Sequence, residues 1–134
     1  MSVINWDNSY SVGVEVIDNQ HKELIKMLNE LLNAMKDGKG SDAITQIVGS
    51  LAEYAKVHLN TEEALMSKYN YAEINSHKAE HDALRNKVDQ YKRLLPAVTN
   101  LQTIELMNFL SNWLNDHIKG TDKKLGKFLN NNVK

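Results

Sequence analysis

The chain has five histidines, His21, His58, His77, His81 and His117, and each falls on the apolar stripe of its own helical pattern. His21 precedes Leu24, Ile25 and Leu28; His58 follows Leu51 and Ala55; His77 and His81 lie between Ile74 and Leu84; His117 follows Leu110 and Leu114. Steps of three, four or seven residues place such positions on one helix face. A single imidazole there needs only a hydrogen-bond partner and is usually a core residue. Five of them, on four faces, would leave lone pairs confronting one another in a dry interior, which is costly. Cations that take imidazole nitrogen remove that conflict.

Two carboxylates join the set. Glu62 lies one turn beyond His58, a rise of roughly 6 Å along the axis. Asp122 follows His117 by five residues, longer than a regular turn. That spacing predicts a local widening of the helix, helped by Gly120. Glu63 and Asp116 sit about 100° around the helix from Glu62 and His117, and read as facing away or as groups outside the donor set. One zinc takes four ligands, too few for five imidazoles and two carboxylates. Calcium and magnesium prefer oxygen. Two iron or manganese ions bridged by Glu62 and Asp122 fit the count. The five imidazoles and two bridges supply nine bonds, and a shared solvent oxygen supplies two more. Two six-coordinate ions then keep one open position, where a small molecule would bind.

The elements that must carry these groups are helices. Pro96 is the sole proline, and β-branched runs are short. An extended arm is expected over residues 1–17, with Trp6, Tyr10, Val14 and Val16 covering one end. The first helix is expected to start with Asp18 as N-cap and to end at the glycines of "DGKG". "SD" at 41–42 is the expected cap of the second, whose buried stripe runs Ile44, Ile47, Val48, Leu51, Ala55, His58, Glu62 and Leu65 or Met66. "KYNY" at 68–71 is the expected turn. The third stripe is Ile74, His77, His81, Leu84, Val88, Tyr91 and Leu95, stopped by Pro96. The fourth is Ile104, Met107, Leu110, Leu114 and His117, then Leu125 and Phe128. Four amphipathic helices with short loops predict an all-α, up-down-up-down antiparallel four-helix bundle with a short C-terminal helical segment, a single domain over 1–134.

Bulk properties narrow the function. With 16 basic and 17 acidic residues the net charge is −1, which does not point to nucleic acid. There is no cysteine, so disulfides, thiolate sites and iron–sulfur clusters are excluded. No apolar run is long enough to insert in a bilayer. The opening "MSVINWDNSY" has neither the basic start nor the apolar stretch of a signal peptide, and a cytoplasmic protein is expected. A protein partner would meet the arm or the lysine-rich "KGTDKKLGKF", but neither stretch singles one out.

The pieces "QH" at 20–21, "HLNTEE" at 58–63, "HKAEH" at 77–81 and "WLNDHIKGTD" at 113–122, in that order, resemble the hemerythrin family in its bacterial single-domain form. The resemblance covers essentially the whole chain. It implies a di-iron centre with an oxo or hydroxo bridge that binds O2 reversibly, for storage, delivery or sensing. It further implies that His77, His81 and His117 hold the filled iron, that His21 and His58 hold the open one, and that Glu62 and Asp122 bridge. Leu24, Leu59, Trp113 and Leu114 match the apolar O2 pocket. No catalytic residue is implied. The competing readings of the same donors are a di-iron enzyme acting on peroxide or nitric oxide, and an iron buffer. None of the glutamates has histidine three residues later, so the Glu-x-x-His signature of carboxylate-rich di-iron bundles is missing.

Overall fold

A computed structural model of the chain describes residues 4–95 and 97–132, the side chains of 40–42 and 132 apart. The predicted stripes form helices α1 (Glu15–Lys36), α2 (Gly40–Lys68), α3 (Ile74–Leu94) and α4 (Asn100–Trp113). Beyond α4 the helix continues without a break as a wide-turned π segment, Leu114–Asp122, and then as α5, Lys123–Asn132. No strand occurs among the described residues. The loops are short, so successive helices run antiparallel and close an up-down-up-down bundle.

The helix ends have local causes. Gly38 takes the left-handed conformation (φ 74°), and the Lys39 N–H returns to the Ala34 carbonyl at 2.7 Å, closing α1. Asn70 does the same after α2 (φ 56°), with the Tyr71 N–H donating to the Met66 carbonyl at 2.9 Å. This is the predicted "KYNY" turn. Helix α3 ends at Leu94, and Leu95 is extended (ψ 142°), as a residue before proline prefers. Pro96 itself lies outside the described residues. Thr99 opens α4 with a capping box to Gln102.

Four expectations are corrected. Asp18 is not the N-cap of α1, which starts at Glu15 after Val14. Its carboxylate instead accepts the Val12 N–H (2.8 Å) and the Ser11 hydroxyl (2.6 Å), tying the arm to the first turn. The arm is not wholly extended, because Asp7 caps a 3₁₀ turn over Asn8–Tyr10, and Val16 is exposed rather than covering an end. Helix α2 begins at Gly40, which puts Ser41 and Asp42 inside it; their side chains lie outside the described residues. Ile104 is 41% exposed, since the inward face of α4 is Thr103, Leu106, Met107 and Leu110. The buried Thr103 hydroxyl donates to the Thr99 carbonyl at 3.0 Å, which lets a polar residue take the inward place.

The core is in two parts. A large cluster joins all four long helices, with Leu28, Leu31, Ile44, Val48, Leu51, Leu84, Val88, Leu106 and Leu110 among its members. A small one gathers Val12, Ile17, Met66, Tyr71, Leu125 and Leu129. The histidine layer lies between them along the chain's order on every helix.

Candidate metal centre

Alternating helix direction collects the donors. His21 lies early in α1, His58 and Glu62 late in α2, His77 and His81 early in α3, and His117 and Asp122 in the π segment after α4. All are therefore at one end of the bundle. The π turns bring His117 and Asp122, five residues apart, onto one inward face. Gly120, where an added Cβ would meet open space, sits in the same stretch.

All seven residues are between 0% and 1% exposed. Their ligand atoms fall into two sets, each within 4.8 Å: Glu62, His77, His81, His117 and Asp122, and His21, His58, Glu62 and Asp122. Both carboxylates belong to both sets, one oxygen to each. Glu62 Oε1 is 2.9 Å from His77 Nε2 and 3.0 Å from His81 Nε2, while Oε2 is 3.0 Å from His58 Nε2. Asp122 Oδ1 is 3.0 Å from His77 Nε2 and 3.1 Å from His117 Nε2, while Oδ2 is 2.9 Å from His21 Nε2.

These approaches are close without being hydrogen bonds throughout. His21 Nε2, His58 Nε2, His117 Nε2, Glu62 Oε2 and both Asp122 oxygens are buried with no hydrogen-bond partner. Orphaned groups of this kind cost about 1–3 kcal/mol each, and so many together demand a cation. Protons alone show how strong the demand is. Burial opposes charge on His21 and His117, yet the facing Asp122 and Glu62 carboxylates outweigh it and raise them to about 9 and about 10. Burial likewise opposes charge on Glu62, but His58 and then the contacts with His117 and His21 hold it well below the usual carboxylate range. The converging nitrogen and oxygen atoms thus fit two cations that share Glu62 and Asp122.

Groups behind the donors set their orientation. The Thr61 hydroxyl donates to the Val57 carbonyl (2.8 Å) and so accepts from Gln20 Nε2 (3.3 Å), which turns Gln20 Oε1 toward His58 Nδ1 at 2.7 Å. His58 Nδ1 must then donate, leaving the Nε2 lone pair inward. Glu63 Oε2 accepts from His81 Nδ1 at 2.8 Å, and Glu80 Oε1 from His117 Nδ1 at 2.9 Å. Rings brace the imidazoles as well: Trp113 stacks on His117 (centroids 4.1 Å apart) and Tyr54 on His58 (5.2 Å).

A family model described as the hemerythrin HHE cation binding domain matches residues 12–129. The chain belongs to the hemerythrin family. A bacteriohemerythrin of Pseudomonas paraeruginosa is 34% identical over 122 residues, spanning 91% of this chain and 78% of the relative. One from Clostridium acetobutylicum is 27% identical, spanning 89% and 95%. A crystal structure of wild-type hemerythrin superposes with a TM-score of 0.81 at 29% identity, covering 94% of this chain and 97% of the other.

For a hemerythrin, the seven predicted donors are placed together, and Leu24, Leu59 and Leu114 are fully buried with Trp113 at 7% exposure. Trp113 lies against His117, on the side of the three-histidine set. Asp116 is exposed, as expected of a residue facing away. Of the two readings of Glu63, facing away or standing outside the donor set, the second holds, because it is His81's hydrogen-bond partner. Gln20, Glu80 and Tyr54 are the site residues the sequence reading did not assign. Gln20 adjoins His21 and Glu80 adjoins His81, and a polar side chain one residue from a donor was the available signal. No helix among the described residues is long and apolar enough to cross a membrane.

Proposed function

We propose that this hemerythrin-family chain is a di-iron protein that binds O2 reversibly, for storage, delivery or sensing. His77, His81 and His117 hold one iron, His21 and His58 hold the other, and Glu62 and Asp122 each give an oxygen to both. An oxo or hydroxo group would complete the bridge. The observation that carries the reading is the unequal division of donors around two shared carboxylates. Bound iron supplies reversible electron transfer toward O2.

The residues of the chain do the rest. With two imidazoles against three, the His21 and His58 side is one donor short, and a small ligand is received there. Leu24, Leu59 and Leu114 make the surroundings apolar, and their burial keeps water and competing anions from that side, while Trp113 covers His117 on the other. Two carboxylates leave the donor set less negative than four would, which disfavours the higher oxidation states that oxygen activation uses. None of the side chains is assigned a catalytic role, and the domain spans residues 1–134.

The test is metal analysis followed by optical spectra. Ferrous-loaded protein is expected to hold two irons per chain and to show an absorption change on O2 addition that reverses on deoxygenation. Glu62→Ala, which removes one oxygen from each set, is expected to lose both irons. A single irreversible bleaching, with no recoverable ferrous form, would refute reversible binding.

A further inference from the structure

We infer that Gln20, Glu63 and Glu80 are positioning residues acting through His58, His81 and His117, and that their unequal charge makes the three-histidine half the tighter, more electron-rich half of the centre. The inference rests on the reading that the seven donors hold two cations.

Each of the three accepts an Nδ1–H from an imidazole whose Nε2 faces the carboxylates. Such a bond fixes the tautomer and raises the donor strength of the opposite nitrogen. A carboxylate acceptor does this more strongly than an amide, because it carries a full charge rather than a dipole. The three acceptors form a graded series. Behind His58 stands the neutral amide of Gln20. Behind His81 stands Glu63, whose charge is shared with the Arg85 guanidinium at 2.8 Å. Behind His117 stands Glu80, fixed by the Thr121 hydroxyl at 2.8 and 2.9 Å, with no lysine or arginine paired to it among the described residues. The two carboxylates both serve the three-histidine set, and the amide serves the two-histidine set. His21 Nδ1 and His77 Nδ1 have no hydrogen-bond partner among the described residues, so they do not offset the gradient. The charge difference therefore strengthens the asymmetry that donor number alone creates.

The experiment loads the full chain with iron and measures two things: release of each ion to a chelator, and the reduction potential. The unaltered protein is expected to lose its two irons in separate phases. Glu80→Gln is expected to speed the slow phase about tenfold, the lower end of outer-partner effects on metal affinity, leave the fast phase alone, and raise the potential. Gln20→Glu is expected to slow the fast phase by a similar factor and lower the potential. Opposite signs are diagnostic, since residues that merely hold the fold together would loosen both phases in both variants. Two irons retained per chain, with both variants shifting in one direction or neither shifting, would overturn the inference alone. Fewer than two irons in the unaltered protein would overturn the metal reading beneath it.

Discussion

The two apolar clusters on either side of the donor layer are built differently. The large one is the product of long stripes, with each of α1 to α4 contributing several side chains to a shared interior. The small one takes one or two residues from each of several separate segments: Val12 from the arm, Ile17 from the start of α1, Met66 from the end of α2, Tyr71 from the turn, and Leu125 and Leu129 from α5. The first has the area to hold the helices together. The second has little area but lies at the donor end of the bundle, where Tyr71 stands edge-on to His77 with ring centroids 6.5 Å apart. Holding the fold and sealing the site are therefore separable tasks.

The strongest way to break that division is to damage the large cluster and watch the site. Leu51 is 1% exposed. Leu51→Ala is expected to cost about 2–5 kcal/mol through lost burial and the cavity left behind. Urea unfolding measures the cost, and the folded variant should keep the metal stoichiometry and chelator-release rates of the parent. Metal loss in proportion to destabilisation would mean that the two clusters act as one unit.

Damage to the small cluster should do the reverse. Gly126 is buried, and a Cβ there would lie on the Val12 carbonyl oxygen, a backbone atom that cannot rotate away. Gly126→Ala is expected to push the arm from α5 at a cost of about 1–3 kcal/mol, typical of overpacking. Its larger signature should be kinetic, with chelators removing metal faster than from Leu51→Ala although that variant is less stable. Equal rates would remove the sealing role.

Gly13 separates two contributions at the same seam. Its φ is +77°, and an added Cβ would meet only the tip of the Asn130 side chain, which can move. Gly13→Ala is expected to cost about 1–2 kcal/mol from the left-handed backbone alone. Gly13→Asn, which tolerates that conformation better, should recover part of it. Unfolding curves of the two variants decide the matter, and an equal loss in both would assign the cost to Asn130 instead.

The same contrast explains what could be read from the chain. The large cluster and the convergence of the seven candidate donors were legible because helical periodicity puts Leu24, Leu51, Leu84 or His58 on a face irrespective of what lies opposite. The five-residue step from His117 to Asp122 even foretold the π segment. The small cluster was legible only in part: Met66 and Leu125 fall on the predicted stripes, whereas Val12, Ile17, Tyr71 and Leu129 do not. Val12 is buried because Asp18 ties the arm down and Gly126 admits its backbone, neither of which leaves a period in the sequence. Ile104 was misplaced because Leu and Ile surround the true face of α4, and only the Thr103 hydrogen bond shows which phase wins. Glu80 and Gln20 escaped because a hydrogen bond across helices depends on which side chains meet in space.

The smallest effect tests the end of the large cluster farthest from the donors. Thr99 Oγ1 accepts the Gln102 N–H at 3.1 Å, and Gln102 Oε1 accepts the Thr99 N–H at 3.0 Å. Thr99→Ala removes one arm of this box and is expected to cost about 1 kcal/mol, as cap losses generally do. The damage should stop at the first turn of α4, because the Tyr91 hydroxyl donates to the Gln102 carbonyl at 2.6 Å and anchors it from α3. Thr99→Ser keeps the hydroxyl and should restore most of the loss. Metal-release rates ought not to move in either variant. If Thr99→Ala speeds release as Gly126→Ala does, fraying at the far end reaches the site, and the donor layer is not insulated by the large cluster.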